Sequence, residues 1–270
     1  MCLIAIAWKT HAEYPLALIA NRDEFHARPT AAAGFDPDAA DVYGGRDLQQ
    51  GGSWLMASRA GRLAAVTNVR SGLHAAPAPL SRGWLVRDFM RSDLDARSFA
   101  EGLRDTAHDH GAFNLLLWDG TVLLFASNHP RFSVAAVSPG IHAMSNGAFD
   151  APWPKSTHAT RALQQWLETA QLDTAQVEDA PPIESRIEPL YRALADPTIA
   201  PDGSLPDTGV GLTLERKLSP AFVSGTDYGT RCSTIVLADS HRIFFGERRY
   251  GPDALHLGDS RQWLTLRPAT

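Results

Sequence analysis

The chain has 270 residues, 44% hydrophobic and 20% charged, with a formal net charge of −5 and a pI near 6.0. That length can bury a large core, the composition is ordinary for a soluble globular protein, and the acidic balance leaves no basic footprint for nucleic acid. No apolar run approaches the ~20 residues of a membrane-spanning helix, and no basic region precedes the short N-terminal hydrophobic stretch, so the expected protein is cytoplasmic, with no integral membrane segment.

In chain order, Cys2-Leu3-Ile4-Ala5-Ile6-Ala7-Trp8 reads as an apolar strand that opens on a cysteine. Removal of Met1 would place a thiol and a free α-amine on one residue. The amine, with a reference pKa near ~8, could then serve as the base for its own nucleophile. The plainer reading is a small apolar residue at the start of a buried strand. After a turn at 11–14, Pro15-Leu16-Ala17-Leu18-Ile19-Ala20 reads as a second strand that delivers Asn21-Arg22-Asp23-Glu24 at its end. Such a polar cluster is costly to bury, so it marks either a solvated loop or a site. Ala31-Ala32-Ala33 and 75–79 read as loops, and the pairs Gly44-Gly45 and Gly51-Gly52 as turns, because neither pair precedes a helix with phosphate-loop spacing.

Residues 53–58 and 62–67 flank Arg59-Ala60-Gly61 as a hairpin. Ser81 is placed to cap a helix over 82–90, and 96–105 repeats the helical character. Strands return at 113–118 and 121–125 around Asp119-Gly120. From Lys155 to about Ala195 the period is helical, 197–211 reads as a long connecting loop with three prolines and three glycines, and 233–237 with 242–246 form a late hairpin. Strands, then helices, then strands fit one layered α+β domain over 1–270 better than alternating βαβ units.

Several spaced motifs agree with one another: Cys2, Asn21-Arg22-Asp23-Glu24, Gly44-Gly45-Arg46-Asp47, Gly51-Gly52-Ser53-Trp54, Thr67-Asn68, Ser145-Asn146-Gly147 with Trp153-Pro154-Lys155, and Gly229-Thr230-Arg231-Cys232-Ser233-Thr234. Together they resemble the NRDE family, also called the transport and Golgi organization 2 family, over nearly the whole chain. The resemblance implies an α+β, four-layer αββα sandwich like that of the N-terminal nucleophile hydrolases. It also implies a poorly defined activity, with eukaryotic members linked to Golgi organisation, lipid metabolism and haem movement. Ser145-Asn146-Gly147 is further similar to the strand-end asparagines of N-terminal cysteine amidases, the bile salt hydrolase and penicillin V acylase group.

The chemistry this suggests centres on Cys2. Arg22 and Asp23 sit where a hairpin partner would return beside it, a guanidinium to favour the thiolate and a carboxylate to hold the α-amine. Asn68 and Asn146, each at a strand end, are candidate amide donors for an oxyanion, against the plainer reading of turn residues. Arg231 is a candidate second cation, although its spacing differs from that of the amidases. Cys232 reads as core, and a Cys2–Cys232 bridge stays open. The ten histidines show no metal-ligand spacing, so neither metal nor other cofactor is expected. The resulting expectation is a hydrolase of a non-peptide amide bond, with a small acyl amide as substrate. The rivals are a non-catalytic carrier of haem or acyl-lipid (acyl-CoA) and a redox-sensing thiol.

Overall fold

A computed structural model describes residues 2–72, 78–174 and 182–267, with the backbone alone for Cys2 and 171–174. Thirteen strands form two antiparallel sheets among these residues. The second sheet runs in chain order: β3 (Thr30–Asp36), β4 (Ala39–Asp47), β5 (Leu55–Ser58), β6 (Arg62–Asn68), β7 (Phe113–Trp118), β8 (Leu123–Ser127) and β9 (Ser133–Ala136). The first sheet is assembled from both ends of the chain. It holds β1 (Cys2–Trp8), β2 (Leu16–Phe25), β10 (Gly140–Met144), β11 (Tyr228–Ala238), β12 (Arg242–Tyr250) and β13 (His256–Thr265), in the order β10-β1-β2-β11-β12-β13. The helices are α1 (Arg82–Arg91), α2 (Ala96–Gly102), α3 (Pro154–Thr174), α4 (Ile183–Leu194) and α5 (Leu212–Lys217).

The layering follows from the two-residue period of buried strands. Ile4, Ile6, Leu18 and Phe245 of the first sheet pack against Leu55, Leu63 and Leu116 of the second, forming a core between the sheets. The alternate residues Leu3, Ala5, Ile19 and Leu237 pack against Leu163, Trp166 and Leu190 of α3 and α4. On the far side, Met56, Ala64, Leu115 and Leu117 meet Leu85 and Phe89 of α1 and Phe99 of α2. Apolar contact on both faces of both sheets produces the expected αββα sandwich. No helix among the described residues is long and apolar enough to cross a membrane.

The hairpin around Asp119-Gly120 forms as expected, with Gly120 at a φ of 93°. Four expectations change. First, Asn21 to Glu24 lie within β2, not beyond its end. The strand tolerates them because their polar atoms are engaged: Asn21 Nδ2 donates to the carbonyls of Leu194 and Ala221, and its Oδ1 accepts from Ser233. Second, Ala31 to Ala33 form part of β3, with the Ala33 N–H donating to Glu247 of the first sheet. Third, Gly44 and Gly45 lie inside β4. A Cβ on Gly45 would stand 2.1 Å from the Trp54 ring, so the missing side chain there serves packing, not a turn. Fourth, the helical stretch from Lys155 is two helices, α3 and α4. The loop expected over 75–79 lies largely outside the described residues.

Candidate active site

The antiparallel register sets the site. Cys2 of β1 pairs with Arg22 of β2, Arg22 pairs with Cys232 of β11, and Cys232 pairs with Arg249 of β12. One row across four strands therefore reads Cys2, Arg22, Cys232, Arg249. Cys2 and Cys232 are two strand spacings apart, roughly 10 Å, beyond the Cα span of a disulfide. No bridge joins them in this fold.

At the end of β2 a cleft of about 580 Å3 opens between the sheets. The first sheet contributes Arg22 and Asp23, the second contributes Asn68, Trp54 enters from just ahead of β5, and the residues entering α1 close one wall. The Arg22 guanidinium lies 4.4 Å from the Trp54 ring centroid, a cation–π contact that fixes it at the cleft floor. Its Nη1 is 3.5 Å from the Thr30 hydroxyl, and its Nη2 is 3.7 Å from Glu24. Arg28, across the cleft, is committed to Asp47 through two hydrogen bonds of 3.2 and 2.6 Å.

Asp23 is almost fully buried, and its Oδ1 accepts from the Thr230 hydroxyl at 2.7 Å. Burial pushes its carboxyl above the usual carboxylate range, opposed first by the nearby charge of Lys155. Lys155 is itself buried at the start of α3 and donates to the Leu218 carbonyl at 3.3 Å. A buried carboxylate held in this way is stabilised by any further cation brought to it, an ammonium group included.

The two asparagines meet. Asn146 is fully buried, and its Nδ2 donates to the backbone carbonyl of Asn68 at 2.9 Å and to the side-chain Oδ1 of Asn68 at 3.0 Å. Asn68 lines the cleft. With its oxygen turned toward Asn146, the Asn68 amide nitrogen is the end left for the cleft. The Asn146 carbonyl also accepts from the Arg70 N–H, and the Thr67 hydroxyl donates to the Ser145 carbonyl. The segment 145–147 thereby ties the exit of β10 to the exit of β6. Gly147 permits this approach, since a Cβ there would lie 2.5 Å from the Trp153 ring.

Arg231 stands elsewhere. The β2–β11 register shifts between Thr230 and Cys232, making Arg231 the extra residue of a bulge. Its Nη1 donates to the carbonyls of Phe25 and Arg28, and its side chain lines a separate small cavity behind Trp54.

Residues 1–252 match the family model described as Transport and Golgi organisation 2. The chain belongs to that family. The Transport and Golgi organization protein 2 homologue of Bos taurus is 32% identical over 253 residues, covering 89% of this chain and 88% of that protein. The Homo sapiens homologue is 31% identical over 266 residues, covering 94% of each. Among solved structures, a mutant conjugated bile acid hydrolase from Clostridium perfringens superposes with a TM-score of 0.50 at 7% identity, covering 100% of this chain and 97% of that one. That likeness shows an N-terminal nucleophile hydrolase fold.

Within this Transport and Golgi organisation 2 chain, then, the expected residues separate into two groups. The cleft brings together Arg22, Asp23 and Asn68, with Asn146 directly behind Asn68. Arg231 faces the back cavity. Two contributors went unassigned at the sequence level. Trp54 supports Arg22, and its signal was the Gly-Gly-Ser-Trp run itself. Lys155 faces Asp23, and its signal was a lysine at the start of the helical stretch, directly after Trp153-Pro154. Among the described residues no group of three or more His, Cys, Asp or Glu could hold a metal ion.

Proposed function

We propose that the protein is an N-terminal cysteine hydrolase acting on a non-peptide amide bond, with Cys2 as the first residue of the mature chain. The observation that carries this reading is the register that sets Cys2 directly opposite Arg22 at the end of a cleft also lined by Asp23 and Asn68. In the proposed reaction the α-amine of Cys2 takes the thiol proton and the thiolate attacks the substrate carbonyl. Arg22 favours the thiolate, Asp23 holds the resulting ammonium, and the Asn68 amide nitrogen donates to the developing oxyanion. Collapse of the tetrahedral species expels the amine with the transferred proton, and water then hydrolyses the thioester. Asn146 serves by orienting Asn68, and Arg231 has no direct part.

The test has two arms. Intact mass measurement should show a chain beginning at Cys2, and a screen of acyl amides should find turnover that Cys2→Ala reduces by several orders of magnitude with the fold preserved. Retention of Met1 in active protein would overturn the mechanism. A second reading, a carrier of an apolar ligand, is favoured by Phe25 and Leu80, which are 58% and 46% exposed at the cleft. Under that reading Cys2→Ala leaves affinity for haem or acyl-CoA within about tenfold, because one sulfur contributes little to burying a large ligand.

A further inference from the structure

Behind Trp54, on the side away from the cleft, lies a cavity of about 60 Å3 lined by Trp54, Arg231, Cys232, Glu247, Arg249 and Tyr250, among others. Three of these side chains carry a buried polar atom that makes no hydrogen bond of ordinary geometry among the described residues: Nε of Arg231, Nε of Arg249, and Oε2 of Glu247, whose carboxyl has the Cys232 thiol beside it. Buried polar atoms are rarely left unpaired, because each gives up its hydrogen bonds to water on burial. Three around one cavity point to an occupant.

The charges narrow its chemistry. Arg231 and Arg249 present N–H donors, and Arg22 adds a third guanidinium from the neighbouring strand. A cation is therefore disfavoured. Glu247 is 1% exposed, and its Oε1 already accepts from the Ala33 N–H at 2.8 Å. Burial pushes its carboxyl above the usual range, so Oε2 becomes a hydroxyl donor more readily than an exposed glutamate would. Two Nε–H groups and a carboxylic acid form a donor set for an anion. The size also fits: about 10–15 Å3 measured in the same way suffices for one water, so a cavity of about 60 Å3 has room for a halide or a single carboxylate group.

We propose that this cavity is a binding site for a small monoanion of halide or carboxylate size, held by Arg231 Nε–H, Arg249 Nε–H and the Glu247 carboxyl. The site is distinct from the cleft and shares with it only Trp54 as a dividing wall. Its position gives it a consequence that rests on the hydrolase reading. An anion beside Arg249 and Cys232 lies in the row that contains Arg22, and it lowers the positive potential that favours a Cys2 thiolate. Occupancy then slows alkylation of Cys2.

The binding itself is tested without any substrate. The full chain is kept at constant ionic strength in sodium gluconate, whose anion is too large for the cavity, and gluconate is replaced stepwise by chloride or formate. The unfolding temperature should rise saturably with either small anion. Arg249→Met should abolish the saturable rise, whereas Glu247→Gln should retain it, because the carboxamide still donates. As a measurement that does not depend on any variant folding, crystals soaked in bromide should show an anomalous peak between Arg231 and Arg249. Water alone at that position, or an equal thermal response in Arg249→Met, would overturn the proposal. Absence of anion binding leaves the Cys2 mechanism untouched, and absence of hydrolysis leaves the anion site untouched, so the two failures are distinguishable.

Discussion

Asn68 and Asn146 carry the same side chain at two similar strand ends, yet their environments assign them different work. Asn146 is sealed in, with both protons of its Nδ2 directed at Asn68, whereas Asn68 is half-buried and faces the cleft. Sequence alone offered both as amide donors, because spacing along a chain does not say which of two residues a neighbouring loop will cover. Their mutants separate the roles. Asn146→Ala leaves two acceptors of Asn68 without their donor and should destabilise the fold by about 1–3 kcal/mol. Asn68→Ala removes a cleft-facing amide and one of the two acceptors of the buried Asn146 Nδ2, so it should cost about 1 kcal/mol of stability, while lowering turnover about 10²- to 10³-fold if Asn68 is the oxyanion donor. Denaturant unfolding alongside single-substrate kinetics checks both. Equal effects of the two substitutions on stability and turnover would remove the distinction.

Elements were legible where a period was clean and obscure where side chains were small or charged. β1, β5 to β8 and the helical character of the stretch that holds α3 and α4 followed from apolar spacing. β3, by contrast, contains three consecutive alanines, which carry almost no hydrophobic signal, and β2 continues through four polar residues, of which Asn21 and Asp23 find their partners on β11, α4 and the segment before β11. Nothing local announces such partners. The β3–β4 hairpin also depends on a distant helix: buried Asp36 accepts from Arg87 Nε at 2.8 Å, from Arg87 Nη2 at 3.1 Å and from Arg91 Nη2 at 2.7 Å, pinning α1 to the second sheet. Burial alone would raise the Asp36 carboxyl, but the hydrogen bonds from Arg87 and Arg91 outweigh it and hold the group far below the ordinary range. Asp36→Asn should therefore cost about 1.5–3 kcal/mol at neutral pH, since it takes the buried carboxylate from Arg87 and leaves it the exposed Asp38 as its acidic partner. A depressed folded-state pKa contributes stability above the unfolded value, near ~3.9, and loses it as pH falls through the folded value. The penalty of the substitution should accordingly shrink in unfolding measurements taken below about pH 4. A penalty that stays constant down to the acid limit would show that the ion pairs are not its source.

At the scale of the whole molecule, the two sheets adhere through an apolar core, and the cleft occupies the end of that core where polar residues replace apolar ones. Glu247 is placed between the sheets as a polar exception. It reaches from β12 to the Ala33 N–H of β3, and among the charged or titratable side chains that influence it are Arg22, Tyr43, Cys232 and Arg249, with Arg231 sharing its cavity. Burial raises its folded-state pKa above the unfolded value of ~4.3, despite the opposing hydrogen bond from Ala33. The sign follows from proton counting. Below the unfolded pKa both states hold the proton, and the carboxyl costs nothing. As pH rises from there toward the folded pKa, the unfolded chain ionises first, so the native state loses stability across that window. Glutamine keeps the acceptor for Ala33 and cannot ionise. Glu247→Gln should therefore match the wild type near pH 4 and become progressively more stable than it as pH rises toward neutrality, when both are unfolded by denaturant in gluconate buffer so that the back cavity holds no small anion. A difference independent of pH would show that Glu247 is as readily ionised inside the sandwich as outside it. The Arg231 and Arg249 guanidiniums would then be paired with a carboxylate instead of standing open to an anion, and the pH series would count against the monoanion site as well as against a buried acid.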